Sequence, residues 1–400
     1  MISFQHVGSI FSCGGALPSS QVPLQSIMCS SAGRASFPSA PVFDVHVNST
    51  MLRSRYASWR RGSRRRRSSL VACCALRPAV RAQEFAAFTE ENFEAFLLNA
   101  QSSICEEAAA ADGSGKVFVF DKWQRGEDAA NGYGITRVME GGDLLEKAAV
   151  NVSIVRGHLS ESRAKSMSGR GQAVEVGARY FAGALSLVFH PCNPFVPTFR
   201  SDIRYFKVDG GHGWFGGGAD LTPCYLFEDD VREFHTFYKE VCDKYESGFY
   251  DKCKMACDAY FYIPARKEHR GTGGIFFDDL ETFSDYEVNG LCKPQRDDVF
   301  SFVRELAEGF MPSYLPIAKR RHVMDYGERE RQWQLLRRGR YLEFNLLYDR
   351  GVKFGLDGGR IESIMVSAPP LVAWKYNVVP EAGTDENKLL QVLQEPQTWT

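Results

Sequence analysis

Beyond Val117 the chain alternates irregularly between short apolar runs and stretches with helical spacing. Phe181 to His190, Asp202 to Val208, Gly273 to Asp278, Tyr341 to Tyr348 and Arg360 to Ser367 are short and rich in β-branched or aromatic residues, which predicts strands. From Glu228 to Tyr245, Val231, Phe234, Tyr238, Val241 and Cys242 recur at helical spacing. Val299, Phe302, Leu306 and Phe310 do the same between Asp297 and Phe310. Both stretches are expected to be amphipathic helices. No internal repeat and no inner linker rich in Pro or Gly divides this part of the chain, so one α+β domain is expected. No run approaches ~20 consecutive apolar residues, so no membrane-spanning helix is expected in it.

Composition changes this picture at the N-terminus. The chain has 400 residues, 44% hydrophobic and 24% charged, which is ordinary for a globular protein. Its net charge of -1 conceals an asymmetry. Residues 1–83 hold eleven arginines, no lysine and one acid, Asp44. Residues 84–400 are correspondingly acidic and form the expected folded domain. A leader rich in Ser, Arg and Ala and almost free of acid has the composition of an organelle transit peptide, disordered in itself. Its Ser-richness favours a plastid; a mitochondrion is the alternative. The run Arg60 to Arg67, RRGSRRRR, has the chemistry of a phosphate-binding patch. Its place inside an acid-poor leader favours targeting, and no nucleic-acid partner is expected. Of eleven cysteines, four lie in the leader, and none of the rest forms a Cys-x-x-Cys pair. Cys253 and Cys257 would be neighbours on a helix, well short of a metal site, so reduced and buried thiols are expected.

Candidate chemistry concentrates between Ser186 and Pro223. Side chains two apart on a strand share a face, so Ser186 and His190 lie together, and Arg200, Asp202 and Arg204 line a second face. Leu185, Leu187 and Phe189 then point into a core. Two arginines and a carboxylate on one strand face are costly to bury without partners, which an anionic ligand would supply. A surface ladder of ion pairs is the alternative. Gly211, Gly213 and Gly216 satisfy the dinucleotide pattern GxGxxG. The chain runs on through GGADLTP to Pro223, however, where the fingerprint needs a helix to start. A tight hairpin, or backbone approach to a flat ligand, is expected there instead.

The order Ser-x-x-x-His-Pro-x-Asn-Pro-x-x-Pro-Thr, a strand ending Arg-Tyr-Phe, and then Trp-Phe-Gly-Gly-Gly-x-Asp-Leu-Thr-Pro resembles oxygen-dependent coproporphyrinogen III oxidases. The likeness extends to Glu146–Ser160, Cys257–Leu280, Trp333–Leu356 and Gly358–Tyr376, and covers roughly residues 95–400. It implies an antiparallel sheet of about seven strands flanked by helices on both faces, and a homodimer formed through roughly Leu356 to Glu381. It also implies oxidative decarboxylation of the two propionates on rings A and B of coproporphyrinogen III, with molecular oxygen as co-substrate and no cofactor. On this likeness Asp220 accepts pyrrole N–H bonds and Arg204 holds a propionate. Ser186, Asp202, Arg266, Arg270, Gly358, Gly359 and Arg360 fall at substrate-contact positions. From their neighbours alone, Arg266 and Arg270 could instead pair with Glu268 or Asp278.

Three positions depart from the family pattern. Where that pattern reads Thr-x-His-x-Asn-x-Arg, this chain has Thr198-Phe199-Arg200-Ser201-Asp202-Ile203-Arg204. Arg200 thus stands at the proton-donor histidine, and a guanidinium holds a carboxylate but does not cycle a proton. Ala265 replaces a second histidine, for which His269 would stand in if both lay on one helix face. The glycines near Ala129–Gly134 are diluted. His190 and His235 are what remains of a four-histidine metal set, and no metal is expected. A non-catalytic porphyrinogen-binding or regulatory relative is the alternative function, and an enzyme for a related tetrapyrrole acid a third.

Overall fold

The structure, a computed structural model, describes residues 88–161, 164–165, 174–211, 213–283, 295–356 and 360–400. The predicted leader, residues 1–83, lies outside them. Helix α1 (Glu90–Asp112) opens the described part. Thr89 caps it by accepting from the Asn92 amide, Glu90 and Glu91 occupy its first turn, and Gly113 ends it at φ 75°. Six strands follow: β1 (Val119–Gln124), β2 (Gly132–Glu140), β3 (Leu145–His158), β4 (Arg179–Pro191), β5 (Thr198–Val208) and β6 (Gly213–Thr222). After helices α2 (Glu228–Asp243) and α3 (Phe249–Tyr260), the two-residue strands β7 (Tyr262–Ile263) and β8 (Glu268–His269) pair as a small hairpin. Strand β9 (Gly273–Leu280) then returns to the sheet. The chain ends in α4 (Gln295–Glu308), α5 (Phe310–His322), α6 (Glu328–Leu347), α7 (Arg350–Leu356), α8 (Ile361–Met365) and α9 (Asp385–Gln394).

The main sheet has seven strands in the order β1-β2-β3-β4-β5-β6-β9, every pair antiparallel. Leu185, Leu187, Phe189, Phe199, Ile203 and Phe215 project from one face into the main core. They meet Phe93 of α1, Phe234 and Tyr238 of α2, Phe302 of α4 and Tyr314 of α5. On the other face Tyr341 of α6 lies against Ala149 and Val188, with Val138 and Val366 packed around them. Helices therefore cover both faces, as expected, and the fold is α+β.

Three of the predicted strands and both predicted helices fall on real elements, with shifts at their ends. The second helix stops at Glu308. A Cβ on Gly309 would stand 2.7 Å from the Phe237 ring, and a new helix begins at Phe310. Two predicted strands are wrong. Tyr341 to Tyr348 is the end of the 20-residue helix α6, and Arg360 to Ser367 contains the short helix α8. Tyr341 and Phe344 are buried at helical spacing, but the same buried face carries Gln334, Arg337, Arg338 and Asn345. These polar residues are paid for by partners remote in sequence, such as Glu268, Glu146 and the Pro191 carbonyl, so the apolar stripe that marks a helix is interrupted.

Candidate active site

The register of the central strands assembles the site. Ser186 stands opposite Asp202, Val188 opposite Arg200, and Ala184 opposite Arg204. Across the next ladder Arg200 faces Asp220, Asp202 faces Gly218 and Arg204 faces Gly216. Directly paired residues project from the same side of a sheet, so the two faces expected from sequence are one. A polar row runs across that face through Asp121, Thr136, Asn151, Ser186 and Asp202. Gly216 leaves room for Arg204: a Cβ there would stand 2.7 Å from the Arg204 side chain, which lies against the bare backbone. The refused dinucleotide motif is explained by the same strand. Gly213 and Gly216 belong to β6, and the turn from β5 uses Gly210 at φ 79°.

Charge is balanced within the face. Arg204 pairs through Nη1 with Asp202, and its Nη2 lies 3.2 Å from Asp278 Oδ1 and 3.3 Å from the Phe277 carbonyl. The guanidinium sits 5.5 Å from the centre of the Phe276 ring. Arg200 Nη2 lies 3.4 Å from Asp349 Oδ2. Arg270 donates through Nη2 to Asp220 Oδ2, and its guanidinium is caged by Phe261 at 4.0 Å, Tyr341 at 4.9 Å and Phe344 at 5.0 Å. Arg270 is fully buried and Asp220 is 4% exposed. These are buried pairs rather than a surface ladder, and the carboxylates come from the protein itself. Burial alone would pull the Arg200 and Arg204 pKa values down. Asp349 for the first and Asp278 for the second, with Asp202 acting on both, outweigh it and hold them above the ordinary arginine value.

Other expected residues fall elsewhere. Arg266 is exposed and forks onto Glu343 at 2.8 and 2.6 Å, away from this cluster; the suggested partners Glu268 and Asp278 are engaged by Arg337 and Arg204 instead. Arg360 donates to Asp121 Oδ2 at 2.7 Å, at the far end of the polar row, and to Ser363. Gly358 and Gly359 lie outside the described residues. His190 is buried on β4, with Nε2 3.0 Å from the Ser367 carbonyl, and burial followed by Arg338 pushes its pKa down to about 3. His235 sits on α2 between the Tyr250 hydroxyl and the Thr272 carbonyl, at 2.8 and 3.2 Å. The two imidazoles are each engaged within their own surroundings, and among the described residues no group of three or more His, Cys, Asp or Glu is placed to hold a metal ion. His269 is on β8 rather than on a helix. Its Nδ1 meets the Leu393 carbonyl at 2.9 Å, and Ala265 is exposed in the turn between β7 and β8, so the shared helix face expected of them does not exist.

Sequence reasoning missed Asp349 and the cage of Phe261, Tyr341 and Phe344, and named Asp278 as a partner for Arg266 or Arg270 rather than for Arg204. Asp278 carried a local signal, two acids closing an apolar strand in GGIFFDD. Asp349 carried one as well, an acid directly after the apolar run ending at Tyr348. The cage carried none, since its members come from two distant segments.

Residues 92–399 match the family model described as coproporphyrinogen III oxidase. This chain belongs to the coproporphyrinogen III oxidase family. It is 43% identical over 314 residues to the oxygen-dependent coproporphyrinogen-III oxidase of Drosophila melanogaster, covering 76% of this chain and 77% of that protein. To coproporphyrinogen-III oxidase 1, chloroplastic, of Arabidopsis thaliana it is 44% identical over 317 residues, 77% of this chain and 78% of the relative. The mitochondrial oxygen-dependent coproporphyrinogen-III oxidase of Homo sapiens is 43% identical over 315 residues, 76% of this chain and 66% of that protein. In this oxidase-family chain strands β4 to β6 gather the buried charges.

Proposed function

We propose that this chain catalyses oxidative decarboxylation of coproporphyrinogen III to protoporphyrinogen IX with molecular oxygen. The observation that carries the reading is the single face on which Ser186, Arg200, Asp202, Arg204 and Asp220 stand beside the glycine-lined strand β6. A substrate with several propionates and four pyrrole N–H donors needs cations near its rim, an acceptor near its centre and a flat wall. Arg204 supplies a cation, Asp220 the acceptor and Gly216 to Gly218 the wall. For each propionate, the bond to the carboxyl carbon breaks and carbon dioxide leaves. The neighbouring carbon loses a hydrogen, and the two electrons with two protons reduce one dioxygen to hydrogen peroxide, leaving a vinyl group. The electron-rich pyrrole meets oxygen directly, so the protein's part is binding, orientation and proton management, with no organic cofactor or metal.

The assembly proposed is a homodimer through residues 356–381. Leu371, Trp374, Tyr376 and Val379 in that segment are exposed, Tyr376 almost completely, and a second copy would cover them. Import into a plastid fits the acid-poor leader and the chloroplastic relative; a mitochondrion is the alternative, matched by the mitochondrial relative. The purified chain, given coproporphyrinogen III in air, is expected to release carbon dioxide and accumulate porphyrin fluorescence after oxidation of its product. Absence of product at enzyme-level concentration rejects the reading.

A further inference from the structure

We infer that Arg200 is a positioning residue: through Asp349 it fixes the start of helix α7 against the sheet and so holds the wall beside Arg204. The inference about turnover rests on the proposed function; the inference about the helix does not.

Asp349 joins α6 to α7 and is buried, 1% exposed. Its amide donates to the Phe344 carbonyl at 2.9 Å and so closes α6. Its two carboxylate oxygens have different work. Oδ1 accepts from the Val352 amide at 2.8 Å, capping the first turn of α7. Oδ2 is buried with no hydrogen bond, and the cation facing it is Arg200 of β5, at 3.4 Å. A buried carboxylate whose second oxygen loses its counter-charge is strongly disfavoured, so the cap and the ion pair stand or fall together.

The next residues carry this order to the substrate wall. The Arg350 guanidinium lies 4.6 Å from the Tyr260 ring centre, and the Arg350 amide meets the Tyr260 hydroxyl at 3.4 Å. Tyr260 stacks on Phe276 with ring centres 4.6 Å apart and planes inclined by 6°. Phe276 in turn underlies the Arg204 guanidinium. A continuous run of contacts therefore links Arg200, Asp349, Arg350, Tyr260, Phe276 and Arg204. A guanidinium at position 200 is charged at every physiological pH, whereas the imidazole of the family pattern offers Asp349 a counter-charge only when protonated. In this chain position 200 thus works as a permanent tether rather than as a proton donor.

The test is hydrogen exchange of the full chain without substrate, together with steady-state kinetics. In Arg200→Met and Asp349→Asn, amides of residues 350–356 should exchange faster by on the order of tenfold, while those of α1 stay unchanged. The double variant should exchange no faster than either single one, the signature of one shared interaction. Arg200→Lys should retain most of the protection. Arg200→His should retain less protection than Arg200→Lys, and less of it as pH rises and the imidazole loses its charge. In turnover Arg200→Met should raise KM several-fold more than it lowers kcat. Unchanged exchange in Arg200→Met, or simple additivity in the double variant, overturns the tether whatever the kinetics. Coupled exchange in a chain that shows no turnover upholds the tether and rejects the proposed function. A loss confined to kcat, with KM intact, overturns the positioning role in the reaction.

Discussion

Arg270 is the most completely buried cation in the site, and its environment makes its role testable. Three aromatic rings solvate the guanidinium and Asp220 neutralises it. Arg270→Met leaves Asp220 buried without its cation and is expected to cost about 3–5 kcal/mol of stability, read from denaturant unfolding. Arg270→Lys should cost clearly less; equal losses would show that packing rather than charge is at stake. His190 and His235 set a second residue-level expectation. Burial first, with Arg338 for His190 and Lys254 for His235, pushes each down to about 3 from 6.5. Between those values the unfolded chain binds more protons than the folded one. Stability is thus complete above pH 6.5 and declines with acidification by about 1.4 kcal/mol per pH unit for each histidine. Replacing His235 with Gln should flatten the acid limb of a stability–pH curve by about that slope, and an unaltered limb would contradict the neutral imidazole. Of the residues in this cluster, Arg200, Asp202 and Arg204 were legible because strand periodicity needs only neighbouring residues, whereas Asp220 was named only through the family likeness. Asp349 and the aromatic cage were not legible, because their role arises from packing of segments far apart in the chain.

Elements tell the same story in their own terms. Strands β4 and β5 announced themselves by apolar, β-branched sequence, whereas the glycine-rich β6 was expected as a tight hairpin; the antiparallel register then placed the charges of all three. Helix α6 was misread because its buried face is half polar, with Arg337 and Arg338 satisfied by Glu268 and Glu146. A local pattern cannot reveal a partner that folding brings in. Strand β6 supports a prediction in which fold and function separate. In Gly216→Ala the new methyl would stand 2.7 Å from the far end of the Arg204 side chain and shift a buried, paired guanidinium, so the fold should persist with unfolding free energy lowered by about 1–3 kcal/mol. The displaced guanidinium should nonetheless weaken coproporphyrinogen binding about tenfold, measured as a dissociation constant under anaerobic conditions. Unchanged affinity would remove Arg204 from substrate binding.

Replacing Leu371 and Trp374 with Glu should convert a dimer to a monomer in sedimentation analysis, since both are exposed in the proposed interface; a wild-type monomer would refute the interface. The chemical claim is that this family member works with Arg200 and Asp202 in place, its charges balanced by Asp349 and Arg204. The most direct measurement compares oxygen-dependent carbon dioxide release from coproporphyrinogen III by the wild-type chain and by Arg200→His combined with Asp202→Asn. Turnover by the wild type and no gain in the paired variant are expected. A silent wild type with a large gain in the variant would contradict the chemical claim.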